Sequence, residues 1–394
     1  VNKSILFVSH DAELMGAPMV LLHLVRWVKL NTDYEVTVLL KAGGPLQTEF
    51  EALGEVYQWR PEQLSSSIGL RIKSKLNAVA GKPPVYIPFP PKLQKKQFGL
   101  VYLNTADVTG WAPMIKKMYR CPVIAHIHEL SYSIKAYFPD AFNRENIDAI
   151  DHYIAASKSV ADNLLLSYSL SKDKVSIFNE FIPVDEISKP TIDLATIKDE
   201  LAIKGKFVVG ASGQSGWRKG TDLFIRLAYL VNEKLPDNNI VFMWVGYQSH
   251  EAVAQAEYET DKLNLTGKVI FTGSKKNPQN YFQAFDVFTM MSREDPFPLV
   301  CLEAAALKKP VFCFKGSGGI PEIITDDIGA VFDYGDVAAM AEGIIAAYQQ
   351  PDKTIKQGEN AARMIRKYDV NIVAPQLFKV INQYAHNANN SFNK

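Results

Sequence analysis

Residues 294–306 read Glu-Asp-Pro-Phe-Pro-Leu-Val-Cys-Leu-Glu-Ala-Ala-Ala. Two carboxylates in this stretch, Asp295 and Glu303, are separated by seven residues. Just upstream, Asp286–Met290 is a short apolar run of the kind that forms a parallel strand buried on both faces. Asp295 then falls in the loop after a strand, and Glu303 one to two turns into the next helix. The backbone of Phe297, Pro298, Leu299 and Val300 opens that helix. Free amides at a helix start attract anions. With a carboxylate on either side, they can grip a molecule with hydroxyls at both ends and a diphosphate between. The same residues also read as a helix-start charge pair with no ligand.

Working outward, the strand-then-helix order recurs. Toward the C-terminus come strand candidates Pro310–Phe314 and Ala330–Phe332. Toward the N-terminus lie Val269–Thr272, Ile240–Val245 and Phe207–Ala211. Before residues 183–205, where prolines and scattered charges suggest a hinge, the alternation appears again. Its strand candidates are 4–9, 35–40, 100–103, 122–127, 152–155 and 175–177. Val20, Leu21, Leu24, Val25 and Val28 share one face of a helix that begins near Gly16. Alternation of this kind predicts an α/β protein with two open, mostly parallel sheets. Residues 354–385 have helical spacing and no strand signal.

Composition narrows the function. Lys plus Arg is 43 and Asp plus Glu is 42, for a net charge of +1. That balance excludes a globally basic nucleic-acid binder. The three cysteines are widely spaced and form neither a disulfide framework nor a metal-ligand pair. This favours a reducing compartment. No apolar run reaches the ~18 residues of a spanning helix, and Val1–Phe7 reads as a first strand rather than a leader. A cytoplasmic protein is expected. One segment departs from the even charge: residues 60–99 carry eight basic side chains against the single acid Glu62, with several prolines. It reads as a solvated insertion or as a surface that meets anionic lipid on the inner face of a membrane.

Other chemistry-bearing loops sit at strand ends, where open sheets bind ligands. Gly16 begins a helix after the first strand. Gly210-Ala-Ser-Gly-Gln-Ser-Gly-Trp-Arg-Lys-Gly220 has four glycines, with Arg218 and Lys219 as cations. It lacks the order of a P-loop. His126 and His128 alternate on a strand end and so share a face. No third metal ligand is evident, so no metal site is expected. His126 reads as a core histidine satisfied by backbone.

Taken together, these motifs resemble the retaining glycosyltransferases of family 4, which have the GT-B fold. The resemblance rests on the Gly16 turn, Ala125-His-Ile-His-Glu129, Ala156-Ser157, Asn179, Trp217-Arg-Lys-Gly220, Trp244-Val-Gly246, Asp295 to Glu303, and Gly318-Gly-Ile-Pro-Glu322. It implies two Rossmann-like domains facing a central cleft. Residues 1–185 would form an acceptor-side domain, 186–205 a linker and 206–355 a nucleotide-sugar domain. A helical segment, 356–394, would pack back on the first domain. It also implies roles. Glu303 would bind the ribose hydroxyls and Asp295 the transferred sugar. The Phe297–Val300 backbone would touch sugar and diphosphate, and Lys219 would neutralise the departing diphosphate. Gly16 would allow close approach to the diphosphate and acceptor. His128 would face the sugar, and Gly246, Ser274 and Lys275 would lie on the donor side near the base. This chain has Asp295 where the family has Glu, Pro298 where it has Gly, and Gln214 where it has a basic residue that Arg218 could replace.

The implied function is transfer of a glucose-like sugar from a UDP-sugar, with retention and without metal or cofactor. The acceptor would be a glycan or lipid-linked glycan in cell-surface or exopolysaccharide synthesis. The rivals are a sugar-nucleotide epimerase and a non-catalytic nucleotide-sugar-binding partner protein.

Overall fold

The structure, a computed structural model, describes residues 2–61, 73, 77 and 86–391, with side chains to residue 386. The first sheet comprises β1 (Ser4–Ser9), β2 (Glu35–Leu40), β3 (Glu55–Gln58), β4 (Leu100–Asn104), β5 (Val123–Ile127), β6 (His152–Ala155) and β7 (Val175–Ile177). Its strand order is 3-2-1-4-5-6-7 and all its pairings are parallel. The second sheet comprises β8 (Phe207–Ser212), β9 (Ile240–Val245), β10 (Val269–Phe271), β11 (Val287–Met290), β12 (Val311–Phe314) and β13 (Gly329–Phe332). Its order is 10-9-8-11-12-13, again parallel. Both sheets reverse direction beside their first strand, at β1/β4 and at β8/β11. Such switch points leave a crevice at the carboxyl ends of the strands.

The central strands are apolar throughout because helices cover both faces. Ile5, Leu6, Phe7 and Val8 are fully buried, as are Leu100 to Leu103. The sequence reading misses β3. It lies at an edge and its Glu55 and Gln58 are exposed, so no apolar run marks it.

Seven helices frame the crevice: α1 (Gly16–Asn31), α2 (Ser131–Tyr137), α3 (Lys158–Ser167), α4 (Thr221–Lys234), α5 (Leu299–Ala306), α6 (Pro351–Ile365) and α7 (Val370–Ser391). Val20, Leu21, Leu24, Val25 and Val28 all lie on the buried face of α1. Helix α6 packs on α5, whereas α7 crosses back to α1. There Phe378 meets Trp27 and Tyr34 at centroid distances of 5.7 and 5.3 Å. The Tyr34 hydroxyl donates to Asn382 at 2.6 Å. The stretch expected to be a hinge holds two short helices, Val184–Ile187 and Leu194–Glu200. Asn280 holds its middle by accepting from the Thr191 amide at 2.7 Å.

Within the basic 60–99 segment, residues 62–72, 74–76 and 78–85 lie outside the described residues. Of the described lysines downstream, Lys96 pairs with Glu55 at 2.7 Å. Among the described residues, no helix is long and apolar enough to cross a membrane.

Candidate active site

The two walls of the crevice are built differently. On the second sheet, β8 and β11 are neighbours, so the loops that leave them meet. Lys219, at the end of the β8 loop, places Nζ 2.5 Å from Asp295 Oδ2 in the β11 loop. Ser292 Oγ donates to the same oxygen at 2.9 Å. Arg218 Nη1 lies 3.8 Å from Oδ1 and donates to the Glu294 carbonyl at 2.9 Å. Burial alone would raise the Asp295 pKa. The two cations beside it prevail and hold it below the usual carboxylate range.

The backbone around Asp295 depends on glycines. Gly318 pairs with Asp295 as a parallel bridge, at φ +139°, and a Cβ there would stand 1.7 Å from the Asp295 carbonyl oxygen. No side chain fits, which gives a physical reason for the glycines of Gly318-Gly-Ile-Pro-Glu322. Gly246 is similarly packed: its Cβ would meet the Gly213 carbonyl oxygen at 2.1 Å. Gly16 is the contrast: apart from its chain neighbours and its own helix turn, nothing lies within 4 Å of where its Cβ would be. It begins α1 and leaves room in front of that helix end.

Helix α5 carries Glu303. The side chains of Phe297 and Leu299 are buried in the core. What Leu299 and Val300 have left for a ligand is first-turn amides, which lack intrahelical partners. Pro298 is the N-cap, and its carbonyl accepts from Cys301 at 3.1 Å. Glu303 Oε2 is buried and has no hydrogen-bond partner. Desolvation pushes the Glu303 pKa up to about 7. An unpaired buried carboxylate is costly, and a ligand offering hydroxyls would relieve it.

The remaining second-wall candidates are dispersed. Gln214 and Ser274 are exposed. Lys275 sits over the Tyr281 ring, 4.6 Å from its centroid.

On the first wall the polar groups bond chiefly to one another, though Glu180 Oε2 and His126 Nε2 have no partner. His128 Nε2 bonds Asn104 Oδ1 at 2.9 Å, and its Nδ1 bonds Glu180. Asn104 in turn donates to the Ala17 carbonyl of α1 at 3.0 Å. Glu180, after β7, is thereby linked to the start of α1. Burial opposes a charged His128, but Glu180 raises its pKa above the usual value. His126 differs from expectation: its Nδ1 meets the Tyr102 hydroxyl at 2.7 Å instead of backbone, and Nε2 has no partner. Burial and the neighbouring His128 push its pKa well down.

The sequence reading found no third ligand beside the two histidines. The structure brings one, Glu180, with donor atoms of all three residues within 4.8 Å. Both His128 nitrogens are already engaged with Glu180 and Asn104, so the set is a buried ion pair more than an open metal cage. The signal available in sequence was an acid directly after Asn179 at a strand end.

Two helix caps bridge the walls. Glu294 accepts from the Tyr132 and Ser133 amides at 2.7 and 3.0 Å, capping α2 from the other domain. Glu322 accepts from the Lys158 and Ser159 amides at 3.2 and 2.8 Å, capping α3.

Comparison with known proteins agrees with this geometry. Residues 194–364 match the family model of the glycosyl transferases group 1. The chain is 27% identical over 171 residues to the lipopolysaccharide core biosynthesis mannosyltransferase LpcC of Rhizobium leguminosarum bv. viciae, covering 42% of this chain and 47% of that protein. It thus spans about half the length of that relative. A longer match, 23% identical over 298 residues, covers 71% of this chain and 70% of a D-inositol 3-phosphate glycosyltransferase from Corynebacterium glutamicum. The fold is that of Anabaena HepE, solved in complex with UDP-glucose, with a TM-score of 0.78, 18% identity and coverage of 96% and 99% of the two chains.

Proposed function

We propose that this chain, a group 1 glycosyltransferase of the GT-B fold, moves a glucose-like sugar from a UDP-sugar to an alcohol on a glycan or glycolipid, with retention of configuration. The observation that carries the donor reading is Glu303: a buried carboxylate with an unpartnered oxygen, two turns or less from the helix-start amides. Ribose hydroxyls would satisfy the carboxylate. The diphosphate would lie on the amides of Leu299 and Val300, with Lys219 and Arg218 as counter-charges. Lys219 carries three N–H donors, and the bond to Asp295 uses one. Asp295 Oδ1 then accepts from a hydroxyl of the sugar.

In the reaction, the bond from the sugar's C1 to the diphosphate oxygen breaks. The acceptor oxygen bonds to C1 on the same face, and its proton passes to the departing phosphate oxygen. Negative charge grows on that phosphate, where Lys219 and the helix-start amides stabilise it most. Gly16 leaves space for both phosphate and acceptor at the start of α1. Charge neutralisation by these groups is a mechanism that requires no metal.

The relatives named in lipopolysaccharide synthesis and inositol phosphate glycosylation support a surface-glycan or glycolipid acceptor. The HepE complex supports UDP-glucose as the donor to try first. The test is UDP release from UDP-glucose with and without acceptor alcohols, beside a thermal-shift panel of nucleotide sugars. A true donor raises the melting temperature by mass action. Stabilisation by no UDP-sugar overturns the donor reading. Conversion of the UDP-sugar without any acceptor makes the protein an epimerase instead.

A further inference from the structure

Three large aromatic side chains lie exposed in a row where the domains meet. Trp217, Tyr132 and Tyr137 are 54%, 41% and 63% exposed. The Trp217 and Tyr132 ring centroids are 4.9 Å apart, and Tyr132 and Tyr137 are 6.2 Å apart. Trp217 belongs to the loop that carries Lys219, and the tyrosines stand at the two ends of α2. Aromatic surface left in water is unfavourable, and a contiguous run of it marks a place where something binds.

The row leads to a cavity of ≈ 750 Å³ whose rim includes Tyr137. That volume is within the roughly 300–1,000 Å³ range of small-molecule sites. Its lining is mixed, with Asp107, Asp140, Asn143, Glu145 and Lys117 beside the apolar Pro113, Met114 and Phe138. The rim is held in place. Thr109 Oγ donates to the carbonyls of Ala106 and Ala141, both at 2.8 Å. Asn146 Nδ2 donates to the Asp140 carbonyl at 2.9 Å. A cavity fixed by its own hydrogen bonds does not have to be ordered by its ligand.

The lining selects the ligand's chemistry. Asp107 is paired with Lys41 at 2.8 Å, so the lining sets Asp140 and Glu145 against Lys117 and gives an anion no net attraction. Amide and carboxylate acceptors suit a polyol. Exposed aromatic faces suit the C–H face of a sugar ring, since they offer apolar area without a bonding demand. Position selects which part of the ligand. Helix α2 has 7 residues, about 10 Å at 1.5 Å per residue. Its first turn is capped by Glu294, the neighbour of Asp295, and its last residue is Tyr137. The Tyr137 end of the cavity therefore stands about a helix length from the Glu294 cap, while Ala106 and Asp107 at its other side follow Asn104, the partner of His128.

We propose that the cavity and the Trp217–Tyr132–Tyr137 row form a subsite for a non-reacting unit of a neutral oligosaccharide acceptor. The proposal rests on the reading of the chain as a sugar transferase and specifies its acceptor class.

Two variants test it in the full chain. Gly110 lines the cavity, and a Cβ added there would have Asn146 Nδ2 as its nearest neighbour at 4.0 Å. Gly110→Leu therefore fills the cavity with little displacement. Tyr137→Ala removes an exposed ring and keeps the cavity. Pooled neutral oligosaccharides of two to four units are the probe, read by saturation-transfer NMR and then by calorimetry on the best binder. UDP affinity is measured on the same samples. Wild type is expected to bind at least one oligosaccharide. Gly110→Leu should lose tenfold or more of that affinity and Tyr137→Ala about threefold, both with unchanged UDP binding. No oligosaccharide bound by a wild type that binds UDP overturns the subsite alone. Equal binding by wild type and both variants does the same. Binding to phosphatidylglycerol vesicles that Gly110→Leu abolishes would replace the glycan with a lipid surface. Oligosaccharide binding without UDP binding would leave the subsite standing and remove the donor reading.

Discussion

The two walls of the crevice contrast in how their buried polar groups are satisfied. On the first wall, Glu180 has one oxygen on His128, which continues through Asn104 to the Ala17 carbonyl, while its other oxygen, Oε2, has no partner. On the second, Asp295 is bonded to Lys219, but Glu303, eight positions on, keeps an unpartnered oxygen and a raised pKa. A chain of bonds fixes shape. An orphaned carboxylate stores a desolvation cost that only a partner from outside can offset. Glu180 has His128 as its buried partner, whereas no described group offsets the burial of Glu303 Oε2, so the second wall has the greater need of a ligand.

The largest effect should follow from breaking the pair on the second wall. Lys219→Ala leaves Asp295 buried with only Arg218, at 3.8 Å, as a cation, and it removes charge where the diphosphate departs. Turnover should fall by about a hundredfold or more, with a smaller loss of donor affinity. A change confined to the Michaelis constant would mean that Lys219 serves the ground state alone. Melting temperature should fall as well and recover in Lys219→Met/Asp295→Asn, which takes away both charges.

Next is Glu303→Ala. Hydrogen bonds between a charged group and ribose hydroxyls contribute roughly 1.5–3 kcal/mol each, so UDP affinity should drop tenfold or more in calorimetry. The raised pKa adds a sharper test. With its folded pKa near 7 and its unfolded value lower, Glu303 is protonated in the free protein at pH 6 and charged at pH 8. Wild type should bind UDP more tightly at the higher pH. In Glu303→Gln this part of the pH dependence should vanish. Identical pH profiles for the two proteins would remove Glu303 from the donor site.

On the first wall, Glu180→Gln should cost about 1.5–2 kcal/mol, with a definite pH signature. Glu180 raises the His128 pKa in the folded state. The stabilisation is then fully present below the unfolded histidine value of about 6.5 and is lost as pH rises through the folded value. The melting-temperature gap between wild type and Glu180→Gln should be widest near pH 6 and narrow toward pH 9. A gap that widens with pH would mean that the pair is neutral.

The smallest effects belong to the contacts between the walls. Each helix cap given by Glu294 or Glu322 is worth about 1 kcal/mol. Glu294→Ala with Glu322→Ala should leave each sheet intact while the domains separate, seen as a larger radius of gyration in small-angle scattering. An unchanged radius would show that the core contacts around α5, α6 and the 182–190 crossing hold the halves together without these caps.

How much of this was legible varies with the range of the interaction. The central strands and the buried face of α1 announce themselves in runs of adjacent residues. β3 does not, because an edge strand needs no apolar run. The Asp295–Glu303 motif marks a strand–loop–helix unit by local spacing, and Lys219 is recognisable in its glycine loop. That Lys219 and Asp295 bond each other is not, since it depends on β8 and β11 becoming neighbours 76 positions apart in the chain. The close packing of Gly246 against Gly213 is likewise not legible, since it joins two separate strand-end loops.

The sequence by itself determined the two alternating α/β halves, the strand-end placement of Gly16, Lys219, Asp295 and Glu303, and the charge balance. These follow from local periodicity, helix starts and turn residues, which act over a few positions. The tertiary structure alone decided which buried polar groups are paired and which stay open. Glu180 reaching His128, Glu294 capping α2 and Glu303 left unpartnered all arise from contacts or their absence between distant segments. Desolvation depends on everything that surrounds an atom, and no stretch of sequence carries that information in one place.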